Sequence, residues 1–153
     1  AGGATRHLSS RAGIAALPDS CEWVLVHDAA RPFASPELIR RVLRAARRSG
    51  AAVPALDVHD SILLLEAGNA AQASRYLPRA RLRAVQTPQA FARERIVEAF
   101  ARARRNDFTD DASVVRRYGH EVEVVGGEAS NRKITTPEQL RTALRELARQ
   151  QKA

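Results

Sequence analysis

The sequence predicts an α/β fold with a mainly parallel sheet, on three observations. Short apolar runs of strand length alternate with longer amphipathic stretches along the whole chain. Two of those stretches open on the same kind of start signal, Ser35-Pro36-Glu37 and Thr136-Pro137-Glu138. Runs such as Trp23-Val24-Leu25-Val26 are apolar without a break, as in strands covered on both faces.

Taken in order, the chain opens with Gly-Gly and runs into Leu8, Ala12, Ile14 and Ala15, which read as a short amphipathic helix. Trp23 to His27 is a short buried parallel strand that ends at Asp28. Ser35 then caps a helix with Pro36 in its first turn and Glu37 near its positive end. Leu38, Ile39, Val42, Leu43 and Ala46 form its apolar face, and Gly50 stops it. Ala51 to Leu56 is a second strand. Ser61 to Leu65 reads as a strand, Ala67-Gly68-Asn69 as a turn and Ser74 to Leu77 as a weak return strand, a hairpin that leaves the main sheet. Leu82 to Gln86 is another strand, closed by Thr87-Pro88-Gln89. A helix follows from about Ala92 to Arg105, with Ile96, Val97 and Phe100 inward. Thr109-Asp110-Asp111 caps a short helix ending at Gly119, and Glu121 to Val125 alternates as a half-buried strand. Thr136 starts the last helix.

A length of 153 residues suits one domain with one core, and the apolar fraction of 44% is ordinary for a globular chain. No apolar run approaches the ~18 residues a bilayer span needs, and the first residues do not resemble a signal peptide. No membrane partner is expected. Cys21 is the one cysteine, so an internal disulfide is impossible and a reducing cytoplasm is the expected location. The net charge of +8 is almost all arginine; Lys133 and Lys152 are the two lysines. Arg40, Arg41, Arg44, Arg47 and Arg48 lie among helical alanines and read as a solvated face, with a phosphate-collecting field as the second reading. No aromatic-interleaved basic strand or finger spacing appears, so no nucleic-acid partner is expected.

Ligands of open α/β sheets sit beyond the C-terminal ends of the strands. Asp28 lies at such an end. A carboxylate there can hold Mg²⁺, which needs one or two protein carboxylates plus phosphate oxygens and water. Arg31 can clamp a phosphate through its planar fork. A plain surface ion pair between Asp28 and Arg31 is the alternative. His7, His27, His59 and His120 lack the spacing of a zinc site and read as structural or exposed. Thr87-Pro88-Gln89 is either a turn that ends a strand or a backbone contact near substrate. Asp110 and Asp111 read as cap carboxylates. Cys21 precedes its strand with no partner base in view, which argues against a nucleophile.

Four ordered motifs go further. Val26-His27-Asp28-Ala29-Ala30-Arg31-Pro32-Phe33, Gln86-Thr87-Pro88-Gln89-Ala90-Phe91, Thr109-Asp110-Asp111-Ala112-Ser113 and Asn131-Arg132-Lys133-Ile134-Thr135-Thr136-Pro137-Glu138 together resemble the methylerythritol phosphate cytidylyltransferases. The opening Gly2-Gly3-Ala4-Thr5-Arg6, followed by Ser9, is similar to that family's cytosine-contacting turn. The resemblance implies a Rossmann-like nucleotidyltransferase sheet with a protruding β-hairpin arm. It implies that residues 1–153 are a partial nucleotidyltransferase domain, with a dimerisation arm at about 58–81. The implied reaction transfers CMP from CTP to 2-C-methyl-D-erythritol 4-phosphate, a sugar-alcohol phosphate, with Mg²⁺ or another divalent cation. By resemblance, Asp28 would ligate the metal, with Asn131 a weaker second ligand. Arg31 and Lys133 would bind the sugar phosphate and neutralise developing charge, and Thr109 would hydrogen-bond the same phosphate. Gly3 and Ser9 would contact the base or ribose. Arg79 and Ser61 match arm positions that reach the substrate of a second subunit, which implies a homodimer.

The sequence also departs from the family pattern. Serine stands at Ser61 where threonine is usual, arginine at Arg132 where an aliphatic residue is usual, and alanine at Ala4 where aspartate is usual. The family's Gly-rich, Arg- and Lys-containing loop, which cradles the triphosphate, has no counterpart among these residues. The expectation is that the first βαβ unit lies outside them and that they have little activity by themselves. Two other readings stay open: a ribitol 5-phosphate cytidylyltransferase, which shares the Asp-Ala-x-Arg-Pro and Thr-Pro-Gln patterns, and a non-catalytic remnant that binds a nucleotide or a partner. The doubled Ala29-Ala30 and the Thr109 to Ser113 segment favour the methylerythritol branch.

Overall fold

The computed structural model describes residues 2–66, 68–104 and 108–150. Helix α1 spans Arg6–Ala15, capped by the Thr5 hydroxyl, which accepts from the Leu8 N–H. Strand β1 is Trp23–Val26 and helix α2 is Pro36–Ser49. Helix α2 follows its local signals closely: Ser35 Oγ accepts from the Leu38 N–H at 2.9 Å, and Gly50 closes the helix at φ 84°. A Cβ at residue 50 would fall 2.0 Å from the Arg95 guanidinium carbon, a second reason for glycine there. Leu38, Val42, Ala45 and Ala46 are its buried face, whereas Ile39 is 38% exposed, against expectation.

Strand β2 is Ala51–Asp57. Strands β3 (Ile62–Glu66) and β4 (Asn69–Leu77) pair as a separate two-stranded sheet, Ile62 opposite Leu77, so the expected hairpin does leave the main sheet. Of its expected turn, Gly68 lies at φ 82° and Ala67 falls outside the described residues. Strand β5 is Arg83–Val85 and β6 is Gln89–Ala92. Helix α3 is Arg93–Arg102; the expected end at Arg105 falls outside the described residues. Helix α4 is Asp111–Arg117, β7 is Glu123–Gly126 and α5 is Pro137–Gln150. At the start of α5, Thr136 Oγ1 accepts from the Gln139 N–H at 3.2 Å, which matches the start signal read there.

The main sheet holds β1, β6, β2, β5 and β7. β2 pairs with β7 in parallel and with β5 and β6 antiparallel, and β1 pairs antiparallel with β6. β1, β2 and β7 therefore run in one direction, as an α/β fold with mainly parallel strands requires, and β5 and β6 run against them. Strand β6 was not foreseen: the sequence closes a strand at Thr87-Pro88-Gln89 and starts a helix at about Ala92, with no element between them. Pairing on both sides, with Trp23 to Val26 and with Ala51 and Ala52, makes it a strand. β1 is accordingly not the buried parallel strand expected: Leu25 is 37% exposed and its partner strand is antiparallel.

Alternation along β2 and β6 divides the core. Ala51, Val53 and Phe91 point to one face and pack with Ile14, Ile96, Phe100, Val114 and Val115 of α1, α3 and α4. Ala52 and Ala90 point to the other and pack on Leu38, Val42, Ala45 and Ala46 of α2. His7 anchors α1 within the first cluster, stacked on Phe100 at 4.7 Å between ring centres. Burial lowers its pKa, as do Arg11 and Arg6, and nearby Asp111 offsets this only in part, so the stacked ring is the neutral form. Among the described residues no helix is long and apolar enough to cross a membrane.

Candidate active site

The Gln-Thr-Pro-Gln turn between β5 and β6 organises three loops at the C-terminal end of β1. Gln86 is 4% exposed and clamps the loop after β7: its Nε2 donates to Glu128 O at 2.9 Å and to Asn131 O at 3.2 Å, and its Oε1 accepts from the Glu128 N–H at 3.0 Å. Gln89 is 1% exposed and holds the start of α4, donating to Asp110 Oδ2 at 2.8 Å and accepting from the Ala112 N–H at 3.0 Å. Thr87 Oγ1 accepts from the Asp28 N–H at 3.0 Å. It also lies 3.0 Å from His27 Nδ1, while His27 Nε2 lies 2.9 Å from Arg31 O. A carbonyl only accepts, so Nε2 carries a proton and donates to Arg31 O; in the neutral ring Nδ1 then accepts from the Thr87 hydroxyl. Buried amides with every group paired hold these loops rigidly. The structure gives this segment a role that neither reading named: the side chains of Gln86, Thr87 and Gln89 carry the loops on which Asp28, Lys133 and Asp111 stand.

Asp28, Arg31 and Lys133 converge as the sequence suggested. Lys133 Nζ lies 3.1 Å from Asp28 Oδ2, and Arg31 Nε lies 3.8 Å from the same oxygen. Arg31 Nη1 also donates to Asn131 O at 2.8 Å, and the Ile134 N–H donates to Ala30 O at 2.8 Å, which ties the two loops together. A third cation was missed. Arg6 Nη2 stands 3.5 Å from Asp28 Oδ1 and donates to Asp111 Oδ2 at 2.8 Å. Burial pushes the Asp28 carboxyl up, but the hydrogen bond and charge of Lys133, with Arg6 and Arg31, outweigh it and hold the group below its ordinary value. Asp28 is therefore ionised at neutral pH.

The remaining candidates are placed as follows. Gly3 and Ser9 meet: the Gly3 N–H donates to Ser9 Oγ at 2.9 Å, and a Cβ on Gly3 would sit 2.6 Å from Leu8 Cβ. Ser9, Arg6, Leu25, His27 and Asp28 line an open cavity of about 490 Å³. Thr109 is exposed just before α4, and Asp110, not Thr109, is the N-cap, accepting from the Ser113 N–H at 2.9 Å. Ser61 and Arg79 lie at the root of the hairpin, where Arg79 Nη1 donates to His59 O at 2.7 Å. Among the described residues neither contacts the Asp28 cluster. Arg132 ion-pairs with Glu146 of α5 and lies over the Phe33 ring at 5.4 Å.

Asp111 was read as a cap carboxylate, but its side chain is 1% exposed and paired to Arg6. Its sequence signal was the doubled aspartate, of which one caps the helix and the other turns inward. Arg6 carried no signal beyond its place in the Gly-Gly-Ala-Thr-Arg turn. Among the described residues no group of three or more His, Cys, Asp and Glu side chains could hold a metal ion. Asn131 Oδ1 is buried with no hydrogen-bond partner, while its Nδ2 donates to Thr87 O at 2.7 Å. One carboxylate and three cations can bind phosphate groups and a hard cation that brings its other ligands with it.

Comparison with known proteins gives a consistent picture. The family model described as 2-C-methyl-D-erythritol 4-phosphate cytidylyltransferase matches residues 1–149. The bifunctional enzyme IspD/IspF of Nitrobacter winogradskyi is 49% identical over 141 residues, which are 90% of this chain and 35% of the relative. The chain thus spans about a third of the length of the curated relatives it matches. The crystal structure of 2-C-methyl-D-erythritol 4-phosphate cytidylyltransferase from Thermus thermophilus superposes with a TM-score of 0.84 at 47% identity, covering 97% of this chain and 71% of that one. The 4-diphosphocytidyl-2C-methyl-D-erythritol synthase of Anaerococcus prevotii gives 0.85 at 33% identity, covering 96% and 68%.

Proposed function

The chain belongs to the 2-C-methyl-D-erythritol 4-phosphate cytidylyltransferase family, and on that premise we propose that it transfers CMP from CTP to 2-C-methyl-D-erythritol 4-phosphate, releasing pyrophosphate. The observation that carries this reading is the convergence of Arg6, Arg31 and Lys133 on Asp28 at the end of β1. The reaction joins two phosphorylated molecules, so most of the barrier is charge and position. An oxygen of the sugar phosphate attacks the α-phosphorus in line, the bond to the pyrophosphate oxygen breaks, and no covalent enzyme intermediate is needed.

Each residue has a part in this. Lys133 and Arg31 bind the sugar phosphate and Thr109 hydrogen-bonds it; its hydroxyl has no partner among the described residues and is free to do so. Gly3 and Ser9 contact the base or ribose, Ser9 from the wall of the cavity that Arg6 and Asp28 also line. A divalent cation such as Mg²⁺, when bound, supplies further neutralisation of the triphosphate. Asp28 would hold it, with Asn131 Oδ1 as a second oxygen. That pair is enough for a cation that keeps water and phosphate ligands. A reducing cytoplasm is the location proposed for this reaction. The assay for this reading mixes CTP, Mg²⁺ and 2-C-methyl-D-erythritol 4-phosphate with the protein as its gene encodes it and follows pyrophosphate release. Turnover is expected there and is expected to be far weaker with ribitol 5-phosphate. Preference for ribitol 5-phosphate would move the assignment to that sibling activity, and no turnover with either would leave the non-catalytic reading.

The hairpin is proposed to complete the site of a second copy. Leu63, Leu64 and Leu65 are 38%, 42% and 45% exposed and Tyr76 is 73% exposed, on a two-stranded sheet that lacks a third strand. Such a hairpin is at best marginally stable alone, and an exposed apolar surface of this kind suits an isologous interface. Arg79 and Ser61, at its root, would then reach the partner's sugar phosphate. Mixing two inactive variants, Asp28→Ala and Arg79→Ala, is expected to restore about one working site per heterodimer, with subunit exchange shown by tagged co-purification. Proven exchange without recovered activity would place Arg79 outside the partner's site.

A further inference from the structure

Arg6 is held by one carboxylate and aimed at another. Its Nη2 donates to Asp111 Oδ2 at 2.8 Å and stands 3.5 Å from Asp28 Oδ1. Asp111 has little freedom. Its side chain is 1% exposed, its Oδ1 has no other partner, and the start of its helix is fixed by Gln89 through Asp110 and Ala112. Removing the cation from a buried carboxylate is strongly unfavourable, so Arg6 stays on Asp111.

The other cations around Asp28 are different in kind. Lys133 is 44% exposed, a point charge on a flexible stem, and it approaches Oδ2. Arg31 Nε lies at 3.8 Å from that same Oδ2, too far for a hydrogen bond. The two oxygens of Asp28 are thus served unequally: Oδ1 faces the anchored cation, and Oδ2 faces the cations that the proposed reaction assigns to substrate. Arg6 and Asp111 also join α1, which carries Ser9, to α4, which follows Thr109. The clamp therefore joins the helix that carries the proposed nucleotide contact Ser9 to the helix that follows the proposed sugar-phosphate contact Thr109.

We propose that Arg6, clamped by buried Asp111, is a positioning residue that holds Asp28 Oδ1 while Lys133 leaves Oδ2 for the incoming phosphate. This rests on the transferase reading above. Without the clamp, departure of Lys133 toward a phosphate would leave Asp28 free to rotate at the moment its orientation matters.

The test is steady-state kinetics of Arg6→Lys, Asp111→Asn and the double variant in the protein as its gene encodes it, with thermal melting alongside. Lysine keeps the charge but has a shorter reach and no planar fork. Asparagine keeps the shape of Asp111 and removes its charge, so it serves where Arg6→Lys folds poorly. Each single variant is expected to lower kcat by about ten-fold or more, with KM for CTP changed less than about three-fold. The double variant is expected to be about as slow as the slower single one, because both cut the same clamp. Three results would overturn the proposal: kcat within about two-fold of wild type in folded Arg6→Lys and Asp111→Asn, losses that multiply in the double variant, or a change confined to KM for CTP. Wild-type protein without turnover removes the transferase reading itself and this role with it, whereas active wild type with unaffected variants removes only the clamp.

Discussion

Asp28→Ala is expected to lower kcat by about a hundred-fold or more, while the melting temperature changes by only a few degrees. The separation follows from where the residue stands. Asp28 lies past the end of β1, outside both apolar clusters, so its loss opens no cavity in the core. Chemically the loss is severe. The carboxylate is the shared anchor of Lys133, Arg6 and Arg31, and its side chain is 17% exposed where that of Asp111 is 1%. Without it three cations face one another unbalanced, and the groups proposed to neutralise the transition state are no longer preorganised. Asp28→Asn refines the result, because it keeps the acceptor for Lys133 and removes the charge. Turnover of CTP and methylerythritol phosphate is the measurement, with melting followed by circular dichroism. Near-normal kcat in folded Asp28→Ala would take Asp28 out of the chemistry.

Lys133→Ala is expected to weaken use of the sugar phosphate by about ten- to a hundred-fold, since a hydrogen bond to a charged group contributes ~1.5–3 kcal/mol. The ammonium lies at the surface of the cluster, with Asp28 as its partner in the absence of substrate. It can leave that partner without disturbing the loop, because the loop is held by Gln86 through the backbone of Glu128 and Asn131. CTP binding is expected to change less. Separate titrations with each substrate check this; equal losses for both would show that Lys133 serves the nucleotide as much as the sugar phosphate.

Much of this was legible in short windows of sequence. Helix α2 could be read from Ser35, Pro36, Glu37 and Gly50 because capping and the left-handed stop are properties of a few adjacent residues. The hairpin followed from an apolar run, a glycine turn and a weak return strand, and Asp28 and Arg31 lie close enough in the chain that one loop brings them together. Lys133 was found through its motif, not through geometry.

The rest was decided by pairings across the chain. Gln89-Ala90-Phe91-Ala92 is a strand because β1 and β2 both offer it partners, and nothing within four residues shows that. Leu25, which a local reading buries, is exposed because its strand lies at the edge of the described sheet. Arg6 and Asp111, 105 positions apart, meet only after α1 and α4 have packed on the same face, and the three loops meet only through Gln86, Thr87 and Gln89. By itself the sequence determined where the capped helices α2 and α5 begin and which residue types could carry the chemistry, since those depend on neighbours along the backbone. Tertiary structure decided which charges share a carboxylate and which side chains are rigid, because a buried ion pair or amide clamp is stable only where distant segments exclude water together.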